Sequence, residues 1–107
     1  MSAVAHIVDI GKDFSRYPAG RFQADGPYSG EVFRKKYLVP ALDRGEHIVI
    51  ALDSTAGYGS SFLEEAFGGL IRLGYNAERV LGSFEFRTKD PSLQNEILEY
   101  IRDAAKR

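Results

Sequence analysis

The residues whose types and spacing could support chemistry lie in one short segment, between an apolar run and a helical pattern. They are polar, aromatic or glycine residues of a loop and helix start: Asp53, Thr55, Gly57, Tyr58, Gly59, Ser60 and Ser61. Hydroxyls at a helix start can contact an anion, because the free N–H groups and the helix dipole favour negative charge there. Ligands of open α/β sheets also bind beyond the carboxyl ends of the strands. The segment is therefore the candidate binding surface.

Two functional interpretations of this segment remain open. Gly57-x-Gly59 resembles the opening of a dinucleotide fingerprint, although Phe62 stands where the third glycine would be. That pattern would suit a small nucleotide- or phosphate-binding enzyme domain that uses the Asp53–Ser61 loop. The other interpretation is a protein-interaction module without activity. We favour it because no nucleophile–base pair is recognisable, and we predict no catalytic residue, no cofactor and no metal ligand.

Local patterns also predict how the segment is built. Ser61 followed by Glu64 fits a capping box, so we expect one of the paired serines to cap the helix. Tyr58 is expected to stand at the loop tip as an aromatic anchor. Glu64 and Glu65 diverge by about 100° on a helix, so we expect them to stay solvated rather than to act as a pair.

The elements that position the segment follow from hydrophobic periodicity. The run Ile48–Leu52 predicts an interior strand over 47–53, and the helix over 60–73 should bury Phe62, Ala66, Phe67 and Leu70. Further strands are predicted over 5–10, over 81–88 and, in a hairpin, over Arg21–Ala24. Further helices are predicted from Ser29 to Gly45, kinked or split at Pro40, and from Pro91 to about Ala105.

Alternating strands and helices predict a single α/β domain over residues 1–107. Its central sheet should be mostly parallel, with four to five strands and helices packed against it.

Two further features each have two interpretations. The basic run Arg34-Lys35-Lys36, with Arg16 and Arg21, is expected to be solvated; the alternative is contact with a phosphate or an acidic partner. Gly68-Gly69 inside a helix requires a close approach, either of a neighbouring element or of a partner chain.

Composition excludes several functional classes. The chain has 107 residues, no cysteine and a formal charge of −1. Disulfides and thiolate chemistry are therefore excluded, and no nucleic-acid partner is expected of a chain without a basic excess. No apolar run is long enough to span a membrane, and Met1–His6 has no signal-peptide pattern. We expect a cytoplasmic protein; self-association stays open.

The string from Gly57 to Arg72, with its Gly-Tyr-Gly-Ser-Ser-Phe-Leu-Glu-Glu core, resembles the signature of a bacterial STAS-like domain family of unknown function. The resemblance extends more loosely to Ser29–Leu42 and Asp90–Ile101. That family is a distant relative of the STAS domains of anti-sigma-factor antagonists and sulfate transporters. The resemblance therefore implies a small STAS-like α/β domain.

The resemblance also implies a function. In anti-sigma-factor antagonists, a cognate histidine-kinase-like ATPase phosphorylates a serine at the helix start after the central strand, and the modification switches partners. By resemblance, Ser60 corresponds to that phosphoacceptor. We therefore expect a regulatory protein-interaction module with a protein partner, in which Glu64 and Glu65 would repel a phosphate on the first helical turn.

Overall fold

The computed structural model describes residues 6–107, in which three strands form a parallel sheet. The strands are β1 (His6–Asp9), β2 (Ile48–Ala51) and β3 (Phe84–Arg87), in the order β1-β2-β3. β2 lies at the centre of the sheet, as its unbroken apolar run predicts, because an edge position would expose its apolar side chains and unpaired backbone groups to solvent. The protein is thus a small α/β domain, but the predicted four to five strands are wrong, because the described residues form three.

Within residues 6–107, four helices accompany the sheet. Helix α1 covers 30–43 and α2 covers 60–72, while α3 is Ala77–Ser83 and α4 is Pro91–Ala105. The first two each contain a wider π-helical turn, at Arg34–Leu38 in α1 and at Glu64–Gly68 in α2. A further π-helical turn, Ile10–Phe14, follows β1, and a 3-10 turn spans Gln23–Asp25.

Several predicted boundaries are correct. Ser29 caps α1, because its hydroxyl accepts a hydrogen bond from the Val32 N–H at 3.3 Å. Gly45 and Gly74 follow the ends of α1 and α2 with φ of +68° and +106°, a backbone conformation in which glycine is favoured. Pro91 occupies the first turn of α4 as expected.

Other predicted elements are wrong. Arg21–Ala24 is not a strand. The Asp25 carboxylate accepts a hydrogen bond from the Phe22 N–H, and this local bond favours the 3-10 turn at Gln23–Asp25 over an extended chain. Leu81–Thr88 is a strand only over Phe84–Arg87, since a helix capped by Asn76 occupies the residues before it.

The remaining two differences concern a helix and a terminus. Pro40 does not split α1: the wider turn before it, in which the Val39 N–H donates to the Arg34 carbonyl, lets the helix continue through the proline. Of the predicted strand over 5–10, residue Ala5 lies outside the described residues, His6–Asp9 is confirmed, and Ile10 belongs instead to the π-helical turn that follows.

One hydrophobic core joins the helices to a single face of the sheet. From the strands it takes Val8, Ile48, Ile50 and Phe84. The predicted buried face of α2 is confirmed, with Phe62, Ala66, Phe67 and Leu70 each fully buried. Because side chains alternate along a strand, Ile7, Val49 and Glu85, which are in register, belong to the opposite face, where Ile7 and Glu85 are exposed.

Candidate functional site

The loop that carries the predicted site begins at Asp53, whose carboxylate is engaged within the protein. One oxygen accepts from the Thr88 hydroxyl at 2.6 Å and the other from the Lys89 N–H at 2.8 Å. The bond from Thr88, followed by that from Lys89, lowers the pKa of Asp53, which is ionised at neutral pH. Asp53 therefore ties the loop after β2 to the loop after β3.

The next part of the loop is held by the segment that follows β1. The Ser54 hydroxyl donates to the Asp9 carboxylate, and the Ala56 N–H donates to the Arg16 carbonyl at 2.8 Å. A Cβ atom at Gly11 would collide with the Ser54 backbone, so the π-helical turn and the loop are in direct contact. The carboxyl ends of all three strands thus converge on this loop.

Tyr58 is not the exposed tip anchor that the sequence predicts. Its ring packs against the core and stacks on Phe62, with ring centroids 6.0 Å apart. Its hydroxyl donates to the Leu52 carbonyl at 2.7 Å, and burial raises the pKa of the phenol to about 12, against the opposing bond from Thr55. Tyr58 therefore anchors the loop to the hydrophobic core.

The paired serines stand on the first turn of α2 and are exposed. The residue that caps the helix is Gly59, and no side chain provides a cap bond, so the predicted capping box is wrong. The helix begins at Ser60, so both serines lie inside its first turn and neither occupies the cap position. Glu64 is bound by two arginines rather than by the helix start.

Glu64 and Glu65 do not stay solvated as predicted, because they form an ionic cluster with Arg21, Arg34 and Arg72. Glu64 is bound by Arg72 at 2.7 Å and by Arg21 at 2.5 Å. Glu65 is bound by Arg34 at 2.7 Å, by Arg72 at 3.1 Å and by Arg21 at 3.2 Å. The bond from Arg72, above all, lowers the pKa of Glu64 against the effect of burial. We call these five residues the Arg–Glu cluster.

The Arg–Glu cluster corrects the prediction of a solvated basic run at Arg34 and Arg21, whereas Arg16, Lys35 and Lys36 are exposed as expected. Arg34 is 6% exposed, and Lys35 pairs with Glu31 at 3.1 Å. Gly69 makes room for Arg34, since a Cβ atom there would collide with the guanidinium. The close approach at this glycine is therefore made within the chain, and the interpretation of Gly69 as a contact with a partner chain is wrong.

Sequence reasoning missed the Arg–Glu cluster because its members are far apart in the chain. Arg21 and Arg34 bind residues that are 31 to 44 positions away. The available signal was the pair of adjacent glutamates on a helix face that is otherwise apolar.

The surface that these contacts leave available is short and polar. It consists of the exposed residues Ala56, Gly57, Gly59, Ser60 and Ser61. Such a surface can donate and accept hydrogen bonds at the positive end of α2. Across residues 6–107, no group of three or more His, Asp or Glu side chains is arranged to hold a metal ion. Within the same range, no helix has the length and apolar character needed to cross a membrane.

Comparison with known families agrees with this fold. Residues 29–94 match the model of a family described as a STAS-like domain of unknown function (DUF4325). The match covers more than half of the chain, and the chain therefore belongs to this family. No curated protein and no solved structure matches it.

Proposed function

We propose that this protein is a non-catalytic regulatory module, and that a protein partner recognises its exposed loop end and the first turn of α2. The observation that carries the proposal is the pair of exposed hydroxyls at Ser60 and Ser61, which take no part in capping the helix. The opposite side of the same turn is anchored by fully buried Phe62 and Leu63. The hydroxyls are therefore presented on a rigid support, which favours specific recognition because little conformational entropy is lost on binding.

The same site is suited to a phosphorylation switch. We propose that Ser60 is the phosphoacceptor and that a bacterial histidine-kinase-like ATPase is the partner, in the cytoplasm. The expected repulsion by Glu64 and Glu65 is offset, since three arginines surround these two carboxylates. A phosphate on the first turn would also interact favourably with the helix dipole.

The experiment compares capture of the native partner by the unmodified protein and by the variants Ser60→Asp and Ser60→Ala. The aspartate imitates the charge of a phosphate, so Ser60→Asp should lose the partner, whereas Ser60→Ala removes one of the two hydroxyls without adding charge and should retain most of the binding. Glu99→Ala, on the exposed side of α4, is the matched control and should bind normally. Equal capture by Ser60→Asp and by the unmodified protein would refute the switch.

The alternative is a small nucleotide- or phosphate-binding enzyme domain that uses the Asp53–Ser61 loop. The engagement of Asp53 with Thr88 and Lys89 argues against it, because this carboxylate is already occupied. Turnover of a nucleotide by the purified protein would favour the alternative.

A further inference from the structure

A hollow lies at the carboxyl edge of the sheet, on the face opposite the helices. The last residues of the three strands, Asp9, Ala51 and Arg87, are in register there. Because the Ala51 side chain is small, it leaves a space between its two larger neighbours, and the hollow measures about 440 Å³. This volume is in the range of small-molecule sites, and the carboxyl edge of a parallel sheet is where such sites occur.

The carboxylates around the hollow are hydrogen-bonded within the protein, whereas the cations around it form no ion pair in the described residues. The Asp9 carboxylate accepts from the Lys12 N–H at 3.1 Å and from the Ser54 hydroxyl. The Asp53 carboxylate is likewise bound by two donors. Three cationic side chains line the same hollow: Lys12, Arg87 and Lys89. All three are exposed, and none of them forms an ion pair with a carboxylate among residues 6–107.

From this arrangement we infer that the hollow binds the phosphate or carboxylate group of a small molecule. Lys12 comes from the turn after β1, and Arg87 and Lys89 come from the end of β3 and the loop after it, so the cations approach from two sides of Ala51. The guanidinium of Arg87 supplies the planar pair of donors that suits both anions. The carboxylates nearby are compensated by their own hydrogen bonds, which reduces their repulsion of an anion.

This site does not include the proposed partner surface. The hollow is lined by Asp53 and Ser54 from the start of the loop, but its three cations lie outside the loop, and none of the exposed residues from Ala56 to Ser61 lines it. A small anion could therefore bind whether or not a protein partner recognises Ser60. Failure of one proposal leaves the other standing, and the two are tested with different variants.

The test is an NMR titration of the isotopically labelled full chain with inorganic phosphate and, separately, with acetate. The proposal predicts saturable shifts of the Lys12, Ala51 and Lys89 amides for at least one anion at millimolar concentration, and the anion that binds more tightly identifies the preferred group. Arg87→Gln should raise the dissociation constant about tenfold or more, because a charge-assisted hydrogen bond is lost. Lys106→Gln, an exposed cation at the end of α4, is the matched control and should leave the constant unchanged.

Three results would overturn the inference. The first is the absence of saturation with both anions. The second is a set of shifts at Lys106 and Arg107 as large as those in the hollow. The third is an unchanged affinity in Arg87→Gln, provided that its thermal unfolding matches that of the unmodified protein.

Discussion

Arg34 and Glu65 are joined by two hydrogen bonds from the same nitrogen. Arg34 Nη1 donates to Glu65 Oε2 and to the Glu65 backbone carbonyl, each at 2.7 Å. Both residues are buried, and they connect the π-helical turn of α1 to that of α2. The polar contact between α1 and α2 is thus made at their π-helical turns, within an otherwise apolar interface.

The first prediction follows from this pair. Arg34→Ala should lower the free energy of unfolding by about 1.5–3 kcal/mol, because Glu65 loses its closest charged donor while Arg72 and Arg21 still partly compensate its charge. Denaturant unfolding measures the loss. Lys35→Ala, whose exposed pair with Glu31 contributes at most about 1 kcal/mol, is the neighbouring control. A loss in Arg34→Ala no larger than that of the control would show that the pair adds nothing to stability.

The second prediction concerns pH. The pKa of Glu64 is lowered from 4.5 in the folded protein, first by its bond to Arg72, so the folded state binds this proton less readily than the unfolded chain. The stability that Glu64 contributes is therefore complete above pH 4.5 and is lost as the pH falls through the lower folded pKa. Glu64→Gln should unfold with a shallower dependence on pH in this acidic range. An unchanged slope in denaturant unfolding would contradict the role of the Arg–Glu cluster.

The extent to which the sequence predicts this structure depends on how local each signal is. The apolar run Ile48–Leu52 and the spacing of Phe62, Ala66 and Phe67 depend on neighbours in the chain, and both elements are confirmed. The helix Ala77–Ser83 was missed although Asn76 accepts hydrogen bonds from Glu78 and Arg79, because a helix of two turns has weak periodicity.

The site was predicted less completely, since its details depend on distant residues. Ser60 and Ser61 were expected at the start of α2, and they lie there. The capping box also needed Glu64 to turn back to the helix start, but Glu64 is held by Arg21 from another part of the chain. No pattern of local spacing contains that contact.

The third prediction tests the core. Phe67 is fully buried and contacts the rings of Phe33, Phe84 and Phe86. Phe67→Ala should lower the free energy of unfolding by about 3–5 kcal/mol, because it removes apolar contacts and leaves a cavity. Leu73→Ala, at a side chain that is 58% exposed, should change it by less than about 0.5 kcal/mol. A loss below about 1 kcal/mol in Phe67→Ala would be incompatible with this packing.

The fourth prediction tests the crossing of α1 and α2. A Cβ atom at Gly30 would collide with the Phe62 carbonyl, which is backbone and cannot move freely. Gly30→Ala should therefore lower the free energy of unfolding by about 1–3 kcal/mol or more. Gly82→Ala is the opposite case, since nothing lies near its Cβ position in α3, and it should raise stability by about 0.4–1 kcal/mol. The midpoint of thermal unfolding should therefore fall in Gly30→Ala and rise in Gly82→Ala. A midpoint in Gly30→Ala equal to that of the unmodified protein would contradict the close crossing.

The fifth prediction concerns Tyr58. Its pKa is raised to about 12 from 10.0, so the folded state retains the phenol proton more strongly than the unfolded chain does. The associated stability is present below pH 10 and is lost as the pH rises toward 12. Tyr58→Phe removes this dependence and also the bond to Leu52, at a cost of about 0.5–1.5 kcal/mol. Denaturant unfolding at neutral and alkaline pH measures both effects, and no difference from the unmodified protein would contradict the buried hydrogen bond of the hydroxyl to Leu52.

The central claim is that a protein partner recognises the exposed loop end and first turn of α2. Its most direct test is the footprint of the native partner on the isotopically labelled domain, read from the amide signals of residues 6–107. The account predicts that the amides of Ala56, Gly57, Gly59, Ser60 and Ser61 shift or broaden on binding, while those on the exposed side of α4 stay unchanged. A footprint confined to α4 or to the open face of the sheet, with Ser60 and Ser61 unaffected, would contradict it.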